Sequence, residues 1–275
     1  MTWSDIAAFG VVAALVAGPT LAAEMPASVR QAGVLHLSIN STYAPMEYHD
    51  PATNELKGLD VDLAEALAKR LDLRIEWTDV PFDQLIPSLT TGRTDFIISG
   101  LSDRQARRET ADFVDYLTTG PQFFVLETAA ARALPDLCGL KVGTVRSTSF
   151  PVEIEKWSKA NCEGAGKAAV QYVPGENSID VRNQLKQGRI DAAVQGSETL
   201  PYAQANEPGK YRVIGEPIAQ GLQGIAFRKD STALRAAVTE ALSGLMADGT
   251  YRAILVKWGL SGNALSEPRL NAATQ

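Results

Sequence analysis

The sequence predicts an α/β fold built as two similar lobes. Three observations carry that expectation: strand-like and helix-like segments alternate along the chain, one helix–turn–strand unit recurs in the second half, and the composition suits a packed core. Hydrophobic side chains make up 45% of the 275 residues and charged ones 21%. That is enough apolar surface to offset the entropy of ordering, which excludes intrinsic disorder. With 22 Gly, 14 Pro and two Cys, collagen-like and disulfide-framework chains are excluded as well. The 26 basic and 32 acidic side chains leave a formal charge of −6. This balance argues against a nucleic-acid partner, because such binders carry basic surfaces.

The elements follow in chain order. Ile6 to Leu21 is almost wholly apolar or small and is followed by Ala22 and Ala23, the pattern of a secretory signal peptide over residues 1–23. Met1 to Asp5 lacks the usual positive charge. A membrane anchor is the competing reading, but Gly18-Pro19 interrupts the run, which is short for a span. In an exported chain, Cys138 and Cys162 most simply form a disulfide, worth roughly 3–4 kcal/mol in the chain-entropy model. A metal pair is the alternative, but no His lies near either Cys and two ligands are too few.

Val34 to Ile39 alternates as a strand does. Ala64, Leu67, Ala68 and Leu71 then mark one face of a helix starting near Asp60. Phe82, Leu85, Ile86 and Leu89 repeat that spacing in a second helix, stopped by Gly92, and Asp95 to Ser99 reads as a buried strand. The pattern Leu89-x-x-Gly92-Arg93-x-Asp95-x-x-x-x-Gly100 returns as Leu185-x-x-Gly188-Arg189-x-Asp191-x-x-x-x-Gly196. Leu35 to Thr42 is loosely echoed by Leu140 to Thr148. Alternation with duplication implies two βα-built lobes, whose strand ends would aim at one shared cleft.

Landmarks in order along the chain give this architecture a family. They are Tyr43-Ala-Pro-Met-Glu47, Gly58-Leu-Asp60-Val-Asp62, Leu85-Ile-Pro-Ser-Leu89, Gly92-Arg-Thr-Asp95, Ser102-x-x-x-x-Arg107, Phe113-x-x-Tyr116, Gly139-Leu-Lys-Val-Gly143, Asp248-Gly-Thr-Tyr251 and Lys257-Trp-Gly259. From about Val34 to Leu260 the chain resembles family 3 of the bacterial extracellular solute-binding proteins, the periplasmic amino-acid-binding components of ABC importers. The resemblance implies a two-lobed periplasmic binding protein fold (type II-like), with hinged lobes that each hold a central, mostly parallel sheet flanked by helices. Lobe 1 would comprise residues 24–119 and 222–275, and lobe 2 residues 120–221. Gly120 and Gly221 stand at the crossings, as hinge residues or as ordinary loop glycines.

The resemblance also proposes a site. Arg107 matches the arginine that grips a ligand carboxylate, a task suited to a planar fork of donors; the alternative is one more solvated charge beside Arg104 and Arg108. Ser102, with Ser99 and Gly100, matches a polar loop after a strand. Tyr43 and Phe82 match two aromatics that sandwich the ligand, although Phe82 also fits its helix's apolar stripe. Asn40 stands where some relatives have an acid for a cationic side chain, which weakens the case for arginine, lysine or histidine. In lobe 2, Arg146, Ser147, Thr148 and Ser149 precede a helix with Pro151 in its first turn, a ready anion site or simply a cap. The family commonly has an aspartate where this chain has Gly196, so either Glu198 substitutes for it or the ligand lacks a conventional α-ammonium. The run Ser102-Asp103-Arg104 also departs from the family's Ser-Ile-Thr.

The implied function is capture of an amino acid or related small carboxylate in the interlobe cleft and delivery to a membrane ABC permease, by a periplasmic monomer without cofactor or metal. The alternative is a periplasmic cyclohexadienyl dehydratase-like enzyme on the same fold, with Glu198 as its acid; a solvated loop carboxylate is the bland reading of Glu198. His36 and His49 lie near no nucleophile motif. There is no GxGxxG, no GxxxxGK[ST] and no His-rich metal spacing. A receptor ectodomain is a third reading, disfavoured because no transmembrane or kinase segment follows.

Overall fold

The computed structural model describes residues 25–274; the expected signal peptide lies outside them. The first lobe holds a six-stranded sheet in the order Ala264–Leu270, Ala111–Thr119, Gly221–Arg228, Phe96–Ile97, Val34–Ile39, Arg74–Asp79. The second holds five strands in the order Gln171–Gly175, Lys141–Val145, Ala192–Gly196, Pro121–Leu126, Tyr211–Ile214. Val34–Ile39 and Lys141–Val145 each run parallel to both neighbours. The remaining pairs in these two sheets are antiparallel, so both sheets are mixed where the sequence predicted mostly parallel ones. The connection between lobes explains this. The chain leaves the first sheet along Ala111–Thr119 and returns along Gly221–Arg228, and adjacent strands that carry it out and back must run oppositely.

The two crossings touch. An added Cβ at Gly120 would lie 2.3 Å from the Ala219 carbonyl oxygen, so only glycine fits there, whereas at Gly221 the nearest atom would be 3.7 Å away and no such demand exists.

The duplicated motif does the same work in each lobe. Gly92 and Gly188 end their helices' turns at φ of +72° and +67°. Asp95 then exchanges two bonds with His36: its amide donates to the carbonyl at 2.7 Å and its carboxylate accepts from the amide at 2.8 Å. Asp191 repeats both with Lys141, at 2.8 and 2.9 Å. One short carboxylate therefore aligns the start of the central parallel strand with its neighbour in both halves.

Packing follows from the periodicities. The helix Leu59–Leu71 buries Leu63, Ala64, Leu67 and Ala68. Together with Val238 and Leu242 of the helix Thr232–Ala247, these cover Leu35, Leu37, Phe96 and Phe227. In the second lobe, the successive residues Phe123 and Phe124 point to opposite faces. Phe123 joins Ile154 and Trp157, and Phe124 joins Val181, Leu185 and Tyr211. The Cys138–Cys162 disulfide forms, with Cα atoms 5.4 Å apart. It ties the segment before Lys141–Val145 to the end of the helix Phe150–Asn161.

The C-terminal segment docks on acids of the first lobe. The Asn271 side chain accepts from the Phe113 amide at 2.8 Å, the Ala272 amide donates to Asp115 at 3.0 Å, and the Ala273 amide donates to Asp103 at 3.0 Å. Arg108 forks onto Asp103 and donates to the Ala273 carbonyl at 2.6 Å. Asp115 is fully buried with Oδ1 unpaired, and burial pushes its carboxyl up from 3.8 to about 7. The native state thus holds a proton that the unfolded chain has released, so this contribution is complete below about pH 4 and is lost as pH rises through 7. Asp115→Asn is expected to match the parent in thermal unfolding near pH 4. At pH 8 it should exceed the parent by a few degrees, the effect of about 1 kcal/mol in a chain of this size; a gap that does not grow with pH would contradict the assignment.

Candidate functional site

The parallel strands of both sheets end toward one cavity between the lobes. Val34–Ile39 delivers Asn40 and Tyr43, Phe96–Ile97 leads to Gly100 and Ser102, and Lys141–Val145 leads to Thr148 and Ser149. Phe82 and Arg107 complete the first lobe's wall; Thr144, Phe150, Asn177, Ser178, Val194 and Gln195 complete the second's.

Arg107 sits on the four-residue helix Gln105–Arg108. Its guanidinium lies over the Phe82 ring, 5.6 Å from the centroid, and donates to the Ser102 carbonyl at 2.8 Å. Among the described residues no carboxylate is within ion-pair distance of it. Burial, reinforced by Arg104, lowers its pKa to about 10, with Asp103 opposing; the group stays charged at neutral pH. A desolvated guanidinium stacked on an aromatic face and facing a cavity is prepared for an anion.

Asn40 has little left to offer. Its amide nitrogen donates to the Val80 carbonyl at 2.8 Å and its oxygen accepts from Thr42 at 2.6 Å. Its backbone amide donates to Ser99, whose buried hydroxyl in turn donates to Glu47 at 3.1 Å, so Ser99 supports the wall from behind. Thr148 turns inward on the Val145 carbonyl at 2.8 Å. Ser149 makes no cap bond to its helix, and its hydroxyl is buried without a partner at the cavity. Arg146 and Ser147 line a second opening at the mouth, with Asp79, Asp83 and Glu176, rather than the inner cavity. There Arg146 is exposed and pairs with Glu176 at 2.7 Å.

Gly196 and Glu198 form one device with Tyr43. Glu198 is fully buried on the single turn Ser197–Thr199 and lies behind the cavity wall. It accepts from Tyr43 at 2.7 Å, from Gln223 at 2.7 Å and from Thr119. Burial raises its pKa, and these donors oppose the shift. The Tyr43 hydroxyl also accepts from the Gly196 amide at 3.1 Å. An added Cβ at Gly196 would lie 2.1 Å from Glu198 Oε1 and 2.3 Å from the Tyr43 oxygen; at Gly100 it would lie 2.8 Å from the Tyr43 ring. The equivalent glycines of the repeat therefore meet one tyrosine from opposite lobes, and a side chain at position 196 requires the ends of Glu198 and Tyr43 to move aside.

Further contacts hold the lobes together. Arg104 bonds Glu153 at 2.9 Å, both largely buried. Tyr48 and Trp258 of the first lobe meet Tyr202 of the second, with centroids 5.6 and 6.5 Å away. The departures at Asp103 and Arg104 thus have uses: one holds the C-terminal segment, the other reaches across the cleft. Asn177, Ser178 and Gln195 were not foreseen. The signal for them was the repeat itself, because the turn before the helix Ser178–Lys186 corresponds to the one carrying Phe82 in the first half.

Comparisons with known proteins agree with this fold. The model of the bacterial extracellular solute-binding proteins, family 3, matches residues 35–261. The arginine-binding protein ArgT of Corynebacterium glutamicum is 29% identical over 257 residues, covering 92% of this chain and 83% of that protein. A histidine-binding periplasmic protein of Salmonella typhimurium is 30% identical over 233 residues, covering 82% and 86%. Among solved structures, an ancestral arginine-binding protein bound to arginine superposes with a TM-score of 0.72 at 30% identity, covering 82% of this chain and 98% of that one. The ancestral protein bound to glutamine gives 0.73 at 29%, covering 83% and 98%.

The bond from Tyr43 to Glu198 spans the cleft, so a double-mutant cycle measures it. Tyr43→Phe is expected to destabilise by about 1 kcal/mol, and Glu198→Ala by about 2–4 kcal/mol because its donors lose their partner. The tyrosine's effect should shrink when Glu198 is already absent. Additive effects in urea unfolding would show that the bond does not form in solution.

Proposed function

The chain belongs to the bacterial extracellular solute-binding proteins, family 3, and on that footing we propose that it captures an amino acid or related small carboxylate between its lobes and hands it to a membrane ABC permease. The observation that carries this is Arg107: a half-buried guanidinium, stacked on Phe82, facing the interlobe cavity with no acid of its own. The arginine- and histidine-binding names of the relatives point the same way. No helix of the described residues is long and apolar enough to cross a membrane; in this reading the protein works as a monomer in the periplasm.

Closure supplies the mechanism. Solute docks on the first lobe at Arg107 and Ser102; the second lobe then brings Thr148, Ser149 and Gln195 against it. A solute that touches both lobes only when they are closed stabilises that form by its differential affinity. The unpartnered Ser149 hydroxyl gains its acceptor or donor in that step. A dehydratase reading gains nothing from the geometry, since Glu198, its acid, stands behind the wall with both oxygens occupied.

Arg107→Met is expected to weaken binding of any solute found by calorimetry at least 100-fold, and Arg107→Lys to recover only part, because an ammonium cannot form the paired bonds of the fork. Closure should also alter tryptophan emission, since Trp258 meets Tyr202 of the other lobe. Trp258→Phe should abolish that signal while leaving calorimetric affinity within about threefold. A signal that survives would mean that this contact does not report closure.

A further inference from the structure

We propose that the solute of this cleft is a small carboxylic acid whose α-carbon carries no cationic amine: a deaminated, hydroxylated or N-acylated acid rather than a free α-amino acid. The proposal rests on the solute-binding reading of the same cavity, and two observations take it further.

The first is charge balance. Arg107 is the one ionised side chain among the described residues that line the inner cavity; the rest are hydroxyls, amides, aromatics and aliphatics. An anion entering there neutralises it. A zwitterion cancels only its own charges, leaving the guanidinium without a net counter-charge and adding an ammonium with no acid to meet it. Burying a cation on those terms is unfavourable. The acids nearest the wall stand behind it rather than in the cavity. Glu198 is taken by Tyr43, Gln223 and Thr119. Glu47 stands behind Gly100, accepting from Ser99 and facing Asp60. The acids at the outer opening lie past Phe82: Asp79 accepts from Ser41 and lies 3.6 Å from His49, Glu176 pairs with Arg146, and Asp83 is exposed.

The second observation is space. At the strand end that the resemblance matches to the family's aspartate, this chain has Gly196, and the space beside it is taken by the ends of Glu198 and Tyr43. A Cβ there would fall 2.1 Å from Glu198 and 2.3 Å from Tyr43. The strand end has been given over to the bond that joins the lobes, so the missing acid is a consequence of how this cleft closes.

Matched pairs decide the matter, because they hold the side chain constant. The chain, freed of bound solute by unfolding and refolding, is titrated calorimetrically with glutamine and glutaramate, phenylalanine and 3-phenylpropanoate, arginine and 5-guanidinopentanoate, histidine and imidazolepropanoate. At least one deaminated acid is expected to bind, at least tenfold more tightly than its amino acid, and to lose binding in Arg107→Met. An amino acid that binds more tightly than its partner, through Arg107, overturns the proposal and leaves the solute-binding reading intact. Binding unaffected by Arg107→Met overturns that reading and this proposal together, and a panel in which no deaminated acid binds overturns the proposal. In a second arm, Gly196→Asp combined with Glu198→Ala and Tyr43→Phe removes both oxygens that a side chain at position 196 would meet and supplies the acid. It should raise affinity for the amino-acid member of a pair at least tenfold relative to the Glu198→Ala, Tyr43→Phe background; a folded triple variant without that gain counts against the proposal.

Discussion

A carboxylate taken out of water survives only where donors occupy its oxygens. Glu198 meets that condition with three donors drawn from three parts of the chain. Tyr43 comes from the tip of the first lobe, Thr119 from the end of the outgoing crossing strand, and Gln223 from the returning one. A single turn of the second lobe is thereby bonded to both crossings and to the far wall of the cleft. Much of the local architecture is fitted around this arrangement. Gly196 and Gly100 lack side chains because the tyrosine occupies their space, and Gly120 lacks one because the crossings touch.

The charges are distributed to the same end. Arg107 is left without an acid, while its neighbours on either side are fully employed: Arg104 on Glu153 of the opposite lobe, Arg108 on Asp103. Arginines in one short run thus divide into an interlobe tie, a cavity-facing charge without an acid, and an anchor. Their assignments follow from which acid each can reach. Arg146 illustrates the converse, since Glu176 stands beside it at the mouth and claims it.

Much of this was legible in the residues. The duplicated Gly–Arg–x–Asp turn announced two lobes, and the two Asp95-like bonds show why it is repeated. The two cysteines announced their own pairing. Asn40, Tyr43, Phe82, Gly100, Ser102, Thr148 and Ser149 come together around one cavity because each lies in a segment that follows a strand end, a position that local periodicity reveals, and Arg107 joins them from the short helix Gln105–Arg108. What stayed hidden depends on distance across the cleft. No local pattern says that Glu198 turns away from the cavity to meet Tyr43, that Arg146 turns outward, or that the amide of Asn40 is consumed by Val80 and Thr42. The mixed sheets were missed for a related reason: strand direction is set by where the chain re-enters a lobe, which alternation alone does not encode.

The docking of the C-terminal segment bears on how the protein is made. A four-residue helix has no stability of its own, and the one that carries Arg107 is held through Asp103 and Arg108, both bonded to Ala273. Ala273 lies 165 positions downstream of Arg108. During synthesis the first lobe's sheet lacks two of its strands until the second lobe has been completed and the chain has returned. The anchor of Arg107 comes later still. The wall that carries Arg107 is therefore completed only when Ala273 has folded back onto the first lobe.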